Sequence, residues 1–429
     1  MSAVRRSQTA ATMPPYPPTL PIQPCTGPVR GSVTLPGSKS ITNRALILAA
    51  LGRKTVTLHG ALFSRDTRLM VAALRALGFE IVTDENALTI SVAGRGGEIP
   101  VREAKLEVGN AGTVARFLTA LVCLRPDGAY HLDGDEAMRR RPIGALLEAL
   151  ESQGATASAH SFPFVLKTAG LRGGLVDLDA AESSQLLSAL LMVAPQARTP
   201  LRVKLKGETV SRPFVEMTER MMQQFAAQPS DYAIEGDATA ASYFAALAVV
   251  AGGSAEVKGL NLAPSALQGD AGFCRLLAAQ GLINCSGLTV SRGAARQGIV
   301  AGFNDFSDTF LTLAAIAPLL DGPTKITGVA HTRKQETDRV AGMARELKKL
   351  GQQVIETDDS LEIHPRPLTP GVELETYHDH RFAMSFGILG CHDLLKNGLP
   401  WLTIKDPGCC AKTFPAFFDL LAGLRAGSY

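Results

Sequence analysis

The chain has 429 residues, 46% of them hydrophobic and 19% charged, with a formal net charge of +3. That length exceeds what one compact core usually spans, so two domains are expected. The longest apolar stretches, Tyr243–Ala251 and Phe310–Leu320, fall well short of the roughly 20 residues of a bilayer span, so no membrane segment is expected. Basic residues are scattered apart from Arg139, Arg140 and Arg141, and only 6% of residues are aromatic, which argues against a nucleic-acid surface. Seven cysteines without C-x-x-C spacing fit reduced thiols in a cytoplasmic protein.

Residues 1–25 are rich in Pro, Ser and Thr, carry Arg5 and Arg6 and contain no acidic residue; a disordered tail is expected there. From residue 37 onward one pattern recurs. A short polar cluster opens an apolar helix, then a Gly-bounded strand, a second helix ending in Gly and further strands follow. The first copy opens at Gly37-Ser38-Lys39-Ser40, with helices predicted over Thr42–Leu51 and Asp66–Leu77, the latter stopped by Gly78. The second opens at Gly109–Thr113, with helices near Val114–Cys123 and Pro142–Gln153. The remaining four open at Ser183-Ser184-Gln185, Gly236–Thr239, Asp305–Asp308 and Asp379-His380-Arg381. Taking Ser40, Gly112, Ser184, Ala240, Asp308 and His380 as equivalent points, the steps are 72, 72, 56, 68 and 72 residues. Six βαβαββ-like units are implied, three before about residue 236 and three after, each burying its helices against its neighbours.

Equivalent units place their helix N-termini on one side of each domain, where free N–H groups and the helix dipole favour anions. Capping alone accounts for Ser40, Thr113 and Asp237. It does not account for Lys39, Arg44, Arg116, Arg339, Arg381 and Lys412, because a cation in a first helical turn opposes the dipole unless an anion sits there. A substrate or substrates with several negative groups are therefore expected. Among these cations Asp308 and Glu336 are candidate proton carriers, although a simple N-cap for Asp308 and an exposed i,i+3 ion pair of Glu336 with Arg339 are the plain alternatives. There is no phosphate-binding G-x-x-x-x-G-K-[ST] loop, dinucleotide G-x-G-x-x-G, H-E-x-x-H or G-x-S-x-G motif, and His378 and His380 have no metal-type spacing. No metal and no cofactor are expected.

Nine stretches carry a family resemblance: LPGSKSITNRALILAA (35–50), GNAGTVARFLTA (109–120), RRRPIGALLEAL (139–150), SSQLLSALLMVAP (183–195), SRPF (211–214), GDATAASYF (236–244), ETDRVAGMARELKKLG (336–351), DHRFAMSF (379–386) and DPGCCAKTFPAFF (406–418). In this order they resemble the EPSP synthase (3-phosphoshikimate 1-carboxyvinyltransferase) family of enolpyruvyl transferases. The resemblance implies an α/β fold of two inside-out barrels, residues 38–236 forming one lobe and 26–37 plus 237–429 the other, with a hinge near 37 and 236. It implies a monomer whose partners are phosphoenolpyruvate and shikimate 3-phosphate. Shikimate 3-phosphate would be held by Lys39, Ser40, Arg44, Ser183, Ser184, Ser211, Asp308, His331 and Gln335. Phosphoenolpyruvate would be held by Lys39, Asn110, Gly112, Arg141, Gln185, Arg339, Arg381 and Lys412. Asp308 would be the base at the acceptor's 5-hydroxyl and Glu336 the acid at the donor's methylene, with Lys39 and Lys412 completing the catalytic set.

Four positions depart from the family pattern: His331 stands for a usual Asn, Gln335 for Lys, Phe214 for Tyr and Phe117 for Pro. The first three lie on the acceptor side, and Phe117 bears on sensitivity to glyphosate-like inhibitors. Lys334 neighbours Gln335, but one helical residue turns a side chain by about 100°, so it is expected to point elsewhere. A paralogue with another phosphorylated alcohol as acceptor, and a non-catalytic anion-binding homologue, stay as alternatives. The sister family acting on UDP-N-acetylglucosamine is disfavoured because the loop Asp133–Arg141 has no Cys and Ser40 follows Lys39.

Overall fold

The computed structural model describes residues 16–207 and 211–426. Three helices, Lys39–Leu51, Gly112–Val122 and Ser184–Val193, pack against one another at the centre of the first half. Every residue from Ile41 to Leu51 and from Gly112 to Val122 is buried. A helix apolar on all sides has no face to offer water, so it becomes the inner layer and the sheets wrap outside it. The second half repeats this with Ala238–Ala251, Phe310–Ile316 and His380–Gly390. Some of the polar side chains such helices carry pair across the helix contacts: Asn43 Nδ2 donates to Thr113 Oγ1 at 2.8 Å, and Ser242 pairs with Thr312 at 3.0 Å. Unmade, each such bond would cost about 1–3 kcal/mol.

Five of the six units carry a sheet of three or four strands. Thr55–His59, for example, pairs antiparallel with Thr89–Ala93 and parallel with Asp231–Ala233. The third unit of the first half has only the parallel pair Gly174–Leu178 and Leu201–Leu205. The short step of 56 residues has this as its reason: the antiparallel hairpin is missing there.

Two hydrophobic cores result. One gathers Ile41 through Ile234 with Leu267; the other gathers Tyr16 through Leu35 with Ala240 through Leu424. The chain passes between them twice, side by side. Gly37 bridges Gly236, Ser38 N donates to Glu235 O at 2.8 Å and Asp237 N to Pro36 O at 2.8 Å. The approach is close: a Cβ on Gly37 would sit 2.1 Å from Gly60 O, and one on Gly236 would sit 2.6 Å from Gly259 O.

Three expectations are corrected. The expected disordered tail of residues 1–25 does not hold for residues 16–25. Residues 1–15 lie outside the described residues, but Thr19–Pro21 forms an edge strand on Leu402–Lys405, and Tyr16 and Ile22 enter the second core, because apolar side chains here outweigh the proline content. Asp308 is not a cap: a 3-10 turn, Ser307–Thr309, leads into Phe310–Ile316 and its carboxylate turns into the cleft. Glu336 and Arg339 do not share a helical face, since the helix runs Arg339–Lys349 with Asp338 as N-cap, and their ion pair is buried rather than exposed. Among the described residues no helix is long and apolar enough to cross a membrane.

Candidate active site

The helix openings of both halves meet at one cleft of about 840 Å³. Lys39, Ser40, Gly112, Ser183, Ser184, Gln185, Asp308 and Arg381 reach it from five of the six openings. The fourth opening, through Asp237 and Thr239, lines an adjoining recess that shares Lys39, Ser40, Asp308 and Arg381.

One end is a buried charge network. Glu336 Oε1 lies 2.6 Å from Lys412 Nζ and Oε2 lies 2.8 Å from Arg339 Nη2. Asp308 Oδ1 is 2.9 Å from Arg339 Nη1, and its other oxygen pairs with Arg381. Arg339 is anchored from behind by Asp379, Nε to Oδ2 at 2.7 Å. Lys39 sits 3.2 Å from the buried Asp66. Lys412 Nζ also donates to Asn110 O at 3.1 Å, and Arg141 Nη1 donates to Asn110 O and Oδ1 at 3.2 Å. Asn110 and Lys412 thus join the site through their neighbours.

Burial alone would raise both carboxyl groups, but the surrounding cations overturn it. Lys412, Arg339, Arg141 and Lys39 hold Glu336 well below the usual carboxylate range, and Arg381 and Arg339 lower Asp308. Burial works against the charge on Arg339 too, yet Asp379, Glu336 and Asp308 raise its proton affinity.

Other cations at this cleft have no acid beside them. Arg44 is 1% exposed and donates to Thr218 Oγ1, Ser40 O, Ser188 Oγ and Phe214 O, with the rings of Phe117 and Phe214 at 5.2 and 5.9 Å. Burial pushes it down to about 9. Arg116, also buried, reaches Pro142 O and Met138 Sδ; burial and Arg141 lower its proton affinity sharply. Arg116 Nε, Arg141 Nε, Arg381 Nε and Gln185 Oε1 are buried without a hydrogen-bond partner. Buried polar atoms left unpaired together mark a place built for a polar ligand. Gly112 keeps that place open, because a Cβ there would lie 2.6 Å from Arg141 Nη2 and 2.7 Å from Gln185 Oε1.

The opposite end is milder. Ser211, held at φ 53°, pairs its hydroxyl with His331 Nε2 at 3.1 Å, and His331 Nε2 also meets Ser307 Oγ at 2.9 Å. Burial lowers the proton affinity of His331. Gln335 turns inward onto Arg339 Nη1. Lys334 does not point away from the cleft as a helical offset would require. It ends a 3-10 turn, Ala330–Lys334, and Gln335 after it has left helical backbone (φ −91°, ψ −134°), so the 100° rule does not apply; its ammonium reaches Glu182 at the cleft mouth.

All the singled-out site residues come together. Asp66 and Asp379, which hold Lys39 and Arg339, were not singled out. Asp379 lies in the DHR stretch as the N-cap of His380–Gly390, beside Arg381; Asp66 comes from a different helix and no local spacing marks it.

Six central helices in two halves, with a cation-walled cleft between them, are the architecture of solved enolpyruvyl transferases. The enolpyruvyl transferase NikO from Streptomyces tendae superposes with a TM-score of 0.69 at 17% identity, covering 95% of this chain and 97% of that one. An EPSP synthase from Acinetobacter baumannii superposes with a TM-score of 0.75 at 24% identity, covering 94% and 97%. These likenesses show the fold. The family model for EPSP synthase (3-phosphoshikimate 1-carboxyvinyltransferase) matches residues 25–230 and 226–421. A 3-phosphoshikimate 1-carboxyvinyltransferase from Opitutus terrae is 54% identical over 96% of this chain and 99% of its own length, and one from Nostoc punctiforme is 42% identical over 93% and 97%. The chain belongs to the EPSP synthase family.

Proposed function

We propose that this protein transfers the enolpyruvyl group of phosphoenolpyruvate to the 5-hydroxyl of shikimate 3-phosphate, releasing phosphate. The observation that carries this reading is the pairing of two carboxylates with little exposure, Glu336 and Asp308, with cations that an incoming polyanion would claim. Phosphoenolpyruvate takes Lys412, Arg339, Arg381, Arg141 and Lys39, with Asn110, Gly112 and Gln185 shaping its seat. Shikimate 3-phosphate takes Ser40, Arg44, Ser183, Ser184, Ser211, His331 and Gln335.

Substrate binding itself then sets the acid and the base. As the donor's phosphate and carboxylate neutralise Lys412 and Arg339, the pull that keeps Glu336 ionised weakens while its burial persists, so its proton affinity climbs. Protonated Glu336 delivers its proton to the methylene carbon, C2 becomes cationic, and the 5-hydroxyl attacks it as Asp308 takes the hydroxyl proton. A tetrahedral ketal phosphate forms. Its collapse returns a proton from the methyl carbon to Glu336 and expels phosphate, which leaves with the hydroxyl proton held by Asp308, giving the enolpyruvyl ether.

The strands crossing at residues 37 and 236 act as the hinge between a lobe of residues 38–236 and a lobe of 26–37 plus 237–429. Closure excludes water and strengthens every charge contact. The protein works as a monomer in the cytoplasm. The test is phosphate release from phosphoenolpyruvate with shikimate 3-phosphate set against a panel of other phosphorylated alcohols. Preference for a different alcohol would overturn the acceptor assignment. Small-angle scattering should show compaction only with both substrates.

A further inference from the structure

The cleft holds one ion pair that the chemistry above does not use. Lys334 Nζ pairs with Glu182 Oε1 across the cleft, the lysine from the second half and the glutamate from the first. The other cleft cations that have a carboxylate partner have a far less exposed one: Asp66 for Lys39, Glu336 for Lys412, Asp379 for Arg339 and Asp308 for Arg381. Glu182, by contrast, is 46% exposed and Lys334 62% exposed. An exposed pair of this kind contributes little and exchanges readily.

Position adds to this. Glu182 immediately precedes Ser183 and Ser184, and Lys334 lines the same cleft as these two serines and Ser211. Three hydroxyls can donate to a phosphate but cannot neutralise it. Gln335, the adjacent side chain, carries no charge, and Arg44 is held in place by four neutral acceptors. Lys334 is therefore the cation with both the reach and the freedom to serve the serine end.

We propose that Lys334 is the specificity-determining residue for the acceptor's phosphate: on binding, its ammonium leaves Glu182 and closes on the phosphate beside Ser183, Ser184 and Ser211. This rests on the functional reading above. Glu182 then acts as a resident competitor, holding the ammonium and repelling the incoming dianion.

The two side chains consequently have opposite effects. Lys334→Met should raise the KM for shikimate 3-phosphate about tenfold and leave the KM for phosphoenolpyruvate unchanged. Glu182→Gln should lower the acceptor KM about twofold, and Lys334→Arg should stay within about threefold of the parent. Were the pair merely a latch between the two halves, both Lys334→Met and Glu182→Gln would shift the acceptor KM in the same direction and the double variant would add nothing. That result, or an unchanged acceptor KM in Lys334→Met, overturns the proposal while leaving the reaction intact. Calorimetric binding of shikimate 3-phosphate to the same variants reads the contrast without turnover. A parent chain that neither binds nor converts this acceptor sinks the functional reading itself.

Discussion

The two ends of the cleft are built differently. At the donor end, Glu336 and Asp308 interlock with Lys412, Arg339 and Arg381 in a network whose Arg339 is 1% exposed and anchored by a buried carboxylate. At the acceptor end, serine hydroxyls, a lowered histidine and an exposed lysine surround space with weaker and more replaceable contacts. A buried network has to be kept whole, because removing one member strands its partners in a low dielectric. An exposed pair can be rearranged at little cost. Of the four departures from the family pattern, His331 and Phe214 fall at the proposed acceptor end, Gln335 turns from it onto Arg339, and Phe117 lies against Arg44.

The largest effect should come from the carboxylates. Glu336→Gln and Asp308→Asn each remove a proton carrier while preserving shape, so kcat should fall about three orders of magnitude with near-native folding by circular dichroism. Near-parental rates in both would remove the proton-transfer assignment.

Next come the donor-end cations. Arg339→Ala and Arg381→Ala should raise the KM for phosphoenolpyruvate about 10- to 100-fold. Arg339→Ala should also lower stability by about 3–5 kcal/mol, since three carboxylates lose their partner. Steady-state kinetics and chemical denaturation separate the two consequences; unchanged donor kinetics would erase the asymmetry between the ends.

A smaller effect is expected from Gly112→Ala. The added methyl displaces Arg141 and Gln185, both movable side-chain ends, so the donor KM should rise about tenfold with the acceptor KM unaffected. Equal changes in both would mean that the two ends are not separable.

The subtlest prediction concerns Asp270, buried behind the cleft with one oxygen unpaired. Burial first, then the negative charge of Asp308, push it up to about 8. A carboxyl raised in the folded state contributes stability in full below its unfolded value of about 4, and loses it as pH rises to about 8. Asp270→Asn should therefore gain more in melting temperature over the parent at pH 9 than at pH 6. A gain independent of pH would place the ionisation elsewhere.

The sequence by itself determined the architecture and which cations gather at the cleft. All-round apolar helices opening on Ser, Asn, Asp and Lys recur along the chain, and a helix without a polar face can only be an inner layer. Cations recurring at helix openings pointed to anions because a first-turn cation is unfavourable alone. Tertiary structure decided what local spacing cannot express. Asp66 belongs to Lys39 and Asp379 to Arg339 because separate elements bring them together. Asp308 gives up capping for two guanidinium groups, since a charge contact in a buried site outweighs an exposed cap. Lys334 faces the cleft because it ends a 3-10 turn and the chain leaves helical geometry at Gln335, and only the folded backbone sets the direction of a side chain outside a regular helix.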